Sequence, residues 1–249
     1  MNVLYQMEAI GLEAMKAVRL MNRVDQKYIV PAHQLEELLG RVAGGYYVQE
    51  TGGERVAPYR TLYFDTADLA MYTMHHNKKL NRQKLRVRTY RSTDTTFFEI
   101  KNKDNRGKTH KVRIPIDPAM FDCALEVDRV RQFLNANTPY PVASLHSCLE
   151  NRFQRITLVD KEMNQRVTID SRILFHNHAT QFNSDISHLL VIEVKHQADA
   201  PMSEIERTLH EMHILPRRMS KYCIGTALTD PGAKSNQFKE KLLYIEKLK

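Results

Sequence analysis

The run RQKLRVRTYRSTDTTFFEIKNKDNRGKTHKVRIPI, residues 82–116, decides the fold, because charged and apolar residues alternate through it with a period of two. Its first part sets Lys84, Arg86, Arg88 and Tyr90 on one face, against Leu85 and Val87 on the other. The second opposes Glu99, Lys101 and Lys103 to Phe98 and Ile100, and the third opposes Lys111 and Arg113 to Val112 and Ile114. Asp104-Asn105-Arg106-Gly107 reads as a hairpin turn, since Asn and Gly tolerate positive φ. Three antiparallel strands are expected here, each with a strongly charged face.

The same period recurs on both sides of this run. Arg23, Asp25 and Lys27 share one face of a strand over 23–30, with Val24, Gln26, Tyr28 and Val30 on the other and Pro31 ending it. Further strands are expected over Tyr59 to Asp65, Arg152 to Val159 and Leu189 to Lys195, the last apolar except for Glu193 and Lys195. Arg166, Thr168 and Asp170 oppose Val167 and Ile169, and the turn from Lys161 to Gln165 makes a hairpin with the Arg152 strand. Helical spacing marks His33 to Val42, Thr66 to His76, Met120 to Leu134 and Met202 to Met212, and a last element begins at Met219-Ser220-Lys221-Tyr222. After Asp230-Pro231-Gly232, an apolar stripe of Leu242, Leu243, Ile245 and Leu248 predicts a C-terminal helix within 231–249 that docks on the body. Without repeats or a Gly/Ser linker, residues 1–249 read as one domain.

Lys plus Arg number 37 against 29 Asp plus Glu, and this formal charge of +8 favours an anionic partner. Cys123, Cys148 and Cys223 are too few and too scattered for a disulfide framework or a thiolate zinc site, which fits a reducing compartment. No stretch approaches the roughly 20 apolar residues that span a bilayer. The first residues, MNVLYQMEAIGLEAMK, place a glutamate where a signal peptide needs an apolar run. A soluble, cytoplasmic protein without direct membrane insertion is expected.

Ordinary exposed sheet faces mix Thr, Ser, Gln, Glu and Lys, whereas Arg and Lys dominate these. Adjacent like charges repel unless a bound anion relieves them. The expected fold is therefore α+β: an antiparallel sheet closed into a β-barrel with a charged lumen, and short amphipathic helices packed outside. Such a lumen takes a narrow polyanion through charge-assisted hydrogen bonds and excludes duplex nucleic acid. Asp25, Glu99, Asp170 and Glu193 have two readings, as pairing partners of nearby cations or as ligands of a hard divalent ion shared with phosphate oxygens.

Rival motifs are weak. Gly107-Lys108-Thr109 matches the end of a P-loop, but Asn102 replaces the required earlier glycine, so it reads as a hairpin tip. His75-His76 and His176-x-His178 lack a partner set with metal spacing. The aromatics Tyr90, Phe97 and Phe98 fit no RNA-binding signature.

Seven short segments carry a family resemblance: Asp25-Gln26-Lys27-Tyr28, Tyr63-Phe64-Asp65-Thr66, Lys84-Leu85-Arg86-Val87-Arg88, Phe98-Glu99-Ile100-Lys101, Arg166-Val167-Thr168-Ile169-Asp170, Ile192-Glu193-Val194-Lys195 and Ser220-Lys221-Tyr222. In order and spacing the sequence resembles the VTC domain of polyphosphate polymerases. That domain falls in the triphosphate tunnel metalloenzyme superfamily, which also holds the CYTH phosphatases and cyclases. The resemblance implies an ATP-dependent polymerase that adds γ-phosphoryl groups to inorganic polyphosphate inside a tunnel, with manganese or magnesium bound. Triphosphate hydrolysis, or non-catalytic sensing of polyphosphate or inositol pyrophosphate, stays open beside it, as does a membrane partner that receives the product.

By the same resemblance Lys27, Arg86, Arg88, Lys101, Arg166 and Lys221 are catalytic and phosphate-binding. Lys84, Lys111, Arg152, Lys195 and Ser220 complete the phosphate-binding set, Glu193 holds the metal, and Glu99 and Asp170 are further acidic positions there. Two departures stand out. Arg23-Val24-Asp25-Gln26-Lys27 replaces the superfamily's Glu-x-Glu-x-Lys opening, removing one carboxylate and favouring the VTC branch. Glu150 stands where VTC domains often carry a Tyr two residues before the matched arginine, Arg152.

Overall fold

The structure, a computed structural model, describes residues 2–15, 18 and 23–249; the Arg23 side chain and residues 1, 16, 17 and 19–22 lie outside it, as does the corresponding part of the expected non-signal start. Its elements in chain order are α1 (Asn2–Gln6), β1 (Ala9–Ile10), α2 (Leu12–Met15), β2 (Arg23–Pro31), α3 (Leu35–Val42), β3 (Tyr46–Gln49), β4 (Ala57–Thr66), α4 (Ala70–His76), β5 (Arg82–Tyr90), β6 (Thr95–Lys103) and β7 (Thr109–Ile116). There follow α5 (Asp128–Asn137), β8 (Leu145–Asp160), β9 (Arg166–Asn177), β10 (Asn183–Asp185), β11 (Leu189–Gln197), α6 (Glu204–Glu211), α7 (Lys221–Thr229) and α8 (Lys239–Lys247).

Eight strands form one hydrogen-bonded path in the order β2-β11-β9-β8-β4-β5-β6-β7, antiparallel at every step, and the short β1, β3 and β10 attach beside it. Period-two alternation is what these ladders require. On the convex face Tyr28, Val30, Ile156, Leu158, Val167, Ile169, Ile192 and Val194 form one core with Leu38, Leu39 and Val42 of α3 and Ile205 and Leu209 of α6. A second convex core joins Leu62, Phe64, Leu85, Val87, Phe98 and Ile100 to Val130 and Leu134 of α5. Burying each such side chain contributes roughly 1.5–3 kcal/mol, so these helices hold the sheet's shape.

The expected barrel is corrected in one respect: among the described residues the ladder is open, because β2 and β7 occupy opposite ends of the path and do not pair. The physical reason lies in β7. Pro115 offers no ladder N–H, and Lys111 and Arg113 would bring more positive charge beside Lys27. The sheet is nevertheless curled. Glu193 on β11 and Lys101 on β6 are five ladder steps apart, about 24 Å in a flat sheet at ~4.8 Å per step, yet the Glu193 charge acts on the Lys101 ammonium.

The helices also depart from an all-outside arrangement. α7 packs onto the concave face at one end, where Tyr222, Cys223 and Ile224 join Ile29, Tyr63, Leu149, Phe153, Ile173 and Val191 in a third core. A Cβ at Gly225 would come within 2.6 Å of Phe175 Cδ1 and Leu149 Cδ2, so only glycine permits this approach. Phe238 and Ile245, at and within α8, bury against the same core, while Leu243 stays exposed. The helix expected over 120–134 is instead two 3₁₀ turns, Pro118–Met120 and Ala124–Glu126, followed by α5. Asp117, accepting from the Ala119 N–H, starts the first of these turns.

Candidate functional site

The concave face gathers the basic sides of seven of the eight path strands; β4 adds none, because its one arginine, Arg60, faces the other way with Glu150. β5, β6 and β7 place Lys84, Lys101 and Lys111 in one cross-strand row, and beside it Arg86, Glu99 and Arg113 in the next. On the opposite flank Lys27 of β2 faces Glu193 of β11, and Lys195 faces both Asp25 and Arg166. Arg155 of β8 faces Asp170 of β9.

Three carboxylates organise these cations. Glu99, its side chain fully buried, accepts from Arg86 Nε at 2.8 Å through Oε2 and from Lys111 Nζ at 3.0 Å through Oε1. Asp170 accepts from Arg155 Nε at 2.5 Å and Nη2 at 2.8 Å, and from Lys221 Nζ. Glu193 Oε1 meets Lys27 Nζ at 2.5 Å and Lys195 Nζ at 2.6 Å. Burial opposes ionisation of each, but the paired cations win and hold all three carboxyls well below the usual carboxylate range.

The cations outnumber these carboxylates. Arg86 above all, then burial and Arg88, drive the Lys101 ammonium well below the usual lysine pKa. Burial, with Arg82, Lys27 and Arg86 nearby, pushes Lys84 down to about 8. Lys27 of β2 thus acts on a lysine of β5, five ladder steps away along the path, and it acts likewise on Lys221. Positive charge held this close favours any ligand that brings negative charge between the groups.

α7 supplies the remaining polar groups through its first turn. Ser220 is its N-cap, accepting from Cys223 N–H, while the same hydroxyl oxygen accepts from Lys84 Nζ at 2.9 Å. Lys221 follows directly and reaches Asp170. The helix is anchored from behind: the Tyr222 hydroxyl donates to the buried Asp65 carboxylate, which also accepts from Met71 and Tyr72 N–H and so caps α4. The tie between Asp65 and Tyr222 had no local sequence signal.

Lys27, Lys84, Arg86, Arg88, Lys101, Lys111, Arg166, Lys195, Ser220 and Lys221 all lie on this concave face or at the α7 end of it. Arg152 is not brought to it. Its side chain is 61% exposed on the convex face and pairs with Glu150, which also binds Arg60. Parity is the reason: on β8 the residues facing inward are Leu149, Asn151, Phe153 and Arg155. Arg155 was missed, although Phe153 supplies an aromatic two residues before it. Its guanidinium lies 4.8 Å from the Tyr59 ring centroid and 5.3 Å from that of Phe153, and Lys221 Nζ lies 4.7 Å from the latter.

A model of the VTC domain family matches residues 22–229. The chain is a member of the VTC domain family. No curated protein sequence matches it. Among solved structures, the VTC chain is similar to a putative adenylate cyclase from Bacillus halodurans, at 16% identity and a TM-score of 0.51 over 80% of this chain and 94% of that one. It is also similar to a putative adenylyl cyclase from Hippeastrum described as having a dominant triphosphatase activity, at 16% identity and a TM-score of 0.52 over 84% and 97% of the two chains. At such identities the likeness is one of fold, and the VTC chain shares the tunnel-type antiparallel architecture of these proteins.

The donor set also bears on a metal. Among the described residues no three His, Cys, Asp or Glu side chains converge. Glu99 and Asp170 have both oxygens engaged by cations and side chains at most 3% exposed, so they do not fit as ligands. Glu193 fits: its side chain is 19% exposed and both its ion pairs end on Oε1. One carboxylate plus phosphate oxygens and water suits Mg²⁺ or Mn²⁺, which rarely use all-protein cages. No helix among the described residues is long and apolar enough to cross a membrane.

Proposed function

We propose that this VTC domain is a polyphosphate polymerase, transferring the γ-phosphoryl group of ATP to a growing polyphosphate chain along its basic concave face. The observation that carries the reading is the in-register row Lys84, Lys101 and Lys111, which is unfavourable without an anion laid across it. Phosphoryl transfer needs positioning and charge stabilisation more than covalent participation. Arg86, Arg88 and Arg155, held by Glu99, Thr61 and Asp170, present guanidinium forks in fixed orientations to phosphate oxygens. Lys27, Lys221 and Ser220 bind neighbouring phosphates, and Lys195 and Arg166 extend the track along β11 and β9. When bound at Glu193, a divalent ion would neutralise charge on the phosphoryl oxygens.

Incubation of the protein with ATP and manganese or magnesium, followed by chain-length analysis, tests this: lengthening polyphosphate is expected, and its absence with every metal refutes polymerisation. Glu193→Ala should abolish synthesis with the far-ultraviolet dichroism unchanged; full retained activity removes Glu193 from the mechanism. A triphosphatase reading draws support from the activity described for the Hippeastrum protein. The same assay with tripolyphosphate separates it, since chains then shorten, and a sensor module would bind without changing chain length.

A further inference from the structure

Behind the Lys27–Glu193 pair, on the convex side of the same two strands, lies a cavity of about 340 Å³. Val24, Gln26 and Tyr28 of β2 line it, with His196 of β11, Ala198, Ala200 and Met202 beyond that strand, Glu206 and His210 of α6, and Ile214 and Pro216 after it. Its chemistry is the reverse of the concave face. Among the described lining residues there is no Lys or Arg, and the carboxylate of Glu206 is the one acidic group.

At the buried end two polar atoms, His196 Nε2 and Glu206 Oε1, face each other. His196 Nδ1 lies 2.7 Å from the Gln197 carbonyl oxygen, so Nδ1 carries a proton, and in the tautomer with a single ring proton Nε2 is an acceptor. Glu206 Oε2 accepts from Ser203 N–H and Oγ–H, completing the capping box of α6, and Oε1 is left over. Nε2 and Oε1 lie 3.4 Å apart, both side chains are at least nine-tenths buried, and neither atom has a hydrogen-bond partner. The Tyr28 hydroxyl donates to Gln26 Oε1 at 3.1 Å and also stands against the Glu206 carboxylate; burial, together with that charge, pushes the phenol's pKa up.

We propose that this cavity binds a small primary ammonium ion, R–NH₃⁺, whose N–H groups bridge His196 Nε2 and Glu206 Oε1. An ammonium group carries three donors and no acceptor, which matches two acceptors at this separation. Its charge offsets the buried carboxylate, and the Tyr28 ring among the lining residues suits a cation. The apolar side chains of Val24, Met202, Ile214 and Pro216 suit a short alkyl or aryl body. A metal ion is the poorer match, because structural and catalytic sites use three or four protein ligands and no such group converges here.

The test titrates the full chain with n-butylammonium, n-butanol and butyrate, by calorimetry and by side-chain nitrogen shifts of the histidines at neutral pH. Butylammonium is expected to bind saturably, about tenfold or more tighter than butanol, with the His196 Nε2 resonance moving. Glu206→Gln, which can still complete the capping box, should weaken it about tenfold or more. Ala200→Leu should fill the cavity and abolish binding with the helix cap untouched. Equal affinity for butanol, absence of saturable binding, an imidazolium at His196 already closed onto Glu206, or displacement of the amine by stoichiometric zinc would each overturn the proposal.

Discussion

Lys84 and Lys101 stand directly opposite one another on β5 and β6, and Lys111 continues their row onto β7. Among the described residues one member of the row has a carboxylate partner, Lys111 with Glu99, while Lys84 donates to the neutral Ser220 hydroxyl. Such an arrangement weakens the free protein and prepares it for an anion, and its consequences can be measured.

Proton uptake on binding is the first. With its pKa near 8, Lys84 is charged below that pH and neutral above it, so polyphosphate affinity should fall as pH rises from about 7 to about 9. Binding near pH 8 should draw protons from solution as the anion restores the charge, read by calorimetry in two buffers of different ionisation enthalpy. Zero proton exchange there contradicts the assignment. In the free protein the unfolded chain keeps this proton up to its ordinary 10.5, so the Lys84 contribution makes stability rise between those two values.

Relief of repulsion is the second. Lys101→Met keeps the side chain's length and removes its charge, so the free protein should gain stability, by up to about 1 kcal/mol. Polyphosphate affinity should drop about tenfold or more. Urea denaturation and a binding titration report the two effects, and a variant less stable than the parent refutes the idea that the row is strained.

Arg155 and Arg152 should behave oppositely. Arg155→Ala leaves the buried Asp170 carboxylate with Lys221 alone and should cost about 3–5 kcal/mol, whereas Arg152→Ala, on the exposed side, should stay within about 0.5 kcal/mol of the parent. Adding Asp170→Asn to Arg155→Ala should restore much of the stability without restoring polyphosphate binding. If Arg152→Ala is the variant that loses binding, the inward assignment of Arg155 fails.

Gly225→Ala tests the seating of α7. The new methyl would meet Phe175 and Leu149, displacing the helix at a cost of roughly 1–3 kcal/mol. Because Ser220 and Lys221 open that helix, polyphosphate binding should weaken in parallel, even under conditions where the protein stays folded. Unchanged affinity in the folded variant would show that the helix start does not contribute to the anion site.

Alternation alone was enough to find the eight path strands and the residues that share a face on each, since a side chain's direction along a strand depends only on odd or even position. It did not find the short β1, β3 and β10 or the full length of β8 and β9. The basic faces and the helices of the convex side follow from alternation, and even Arg155 was legible by parity, since the apolar Ile156 and Leu158 on one face leave Phe153 and Arg155 on the other. Tertiary structure alone decided which cations meet which carboxylates, that the ladder stays open between β2 and β7, and that α7 enters the concave face to bring Ser220 to Lys84 and Lys221 to Asp170. These depend on strand order and on contacts between residues far apart in the chain, such as Asp65 with Tyr222, which no local periodicity encodes. For the same reason Glu99 and Asp170, alike in sequence with Glu193 as lone acids among bases, were separated from it only by burial and by whether their cations engage both carboxylate oxygens or one.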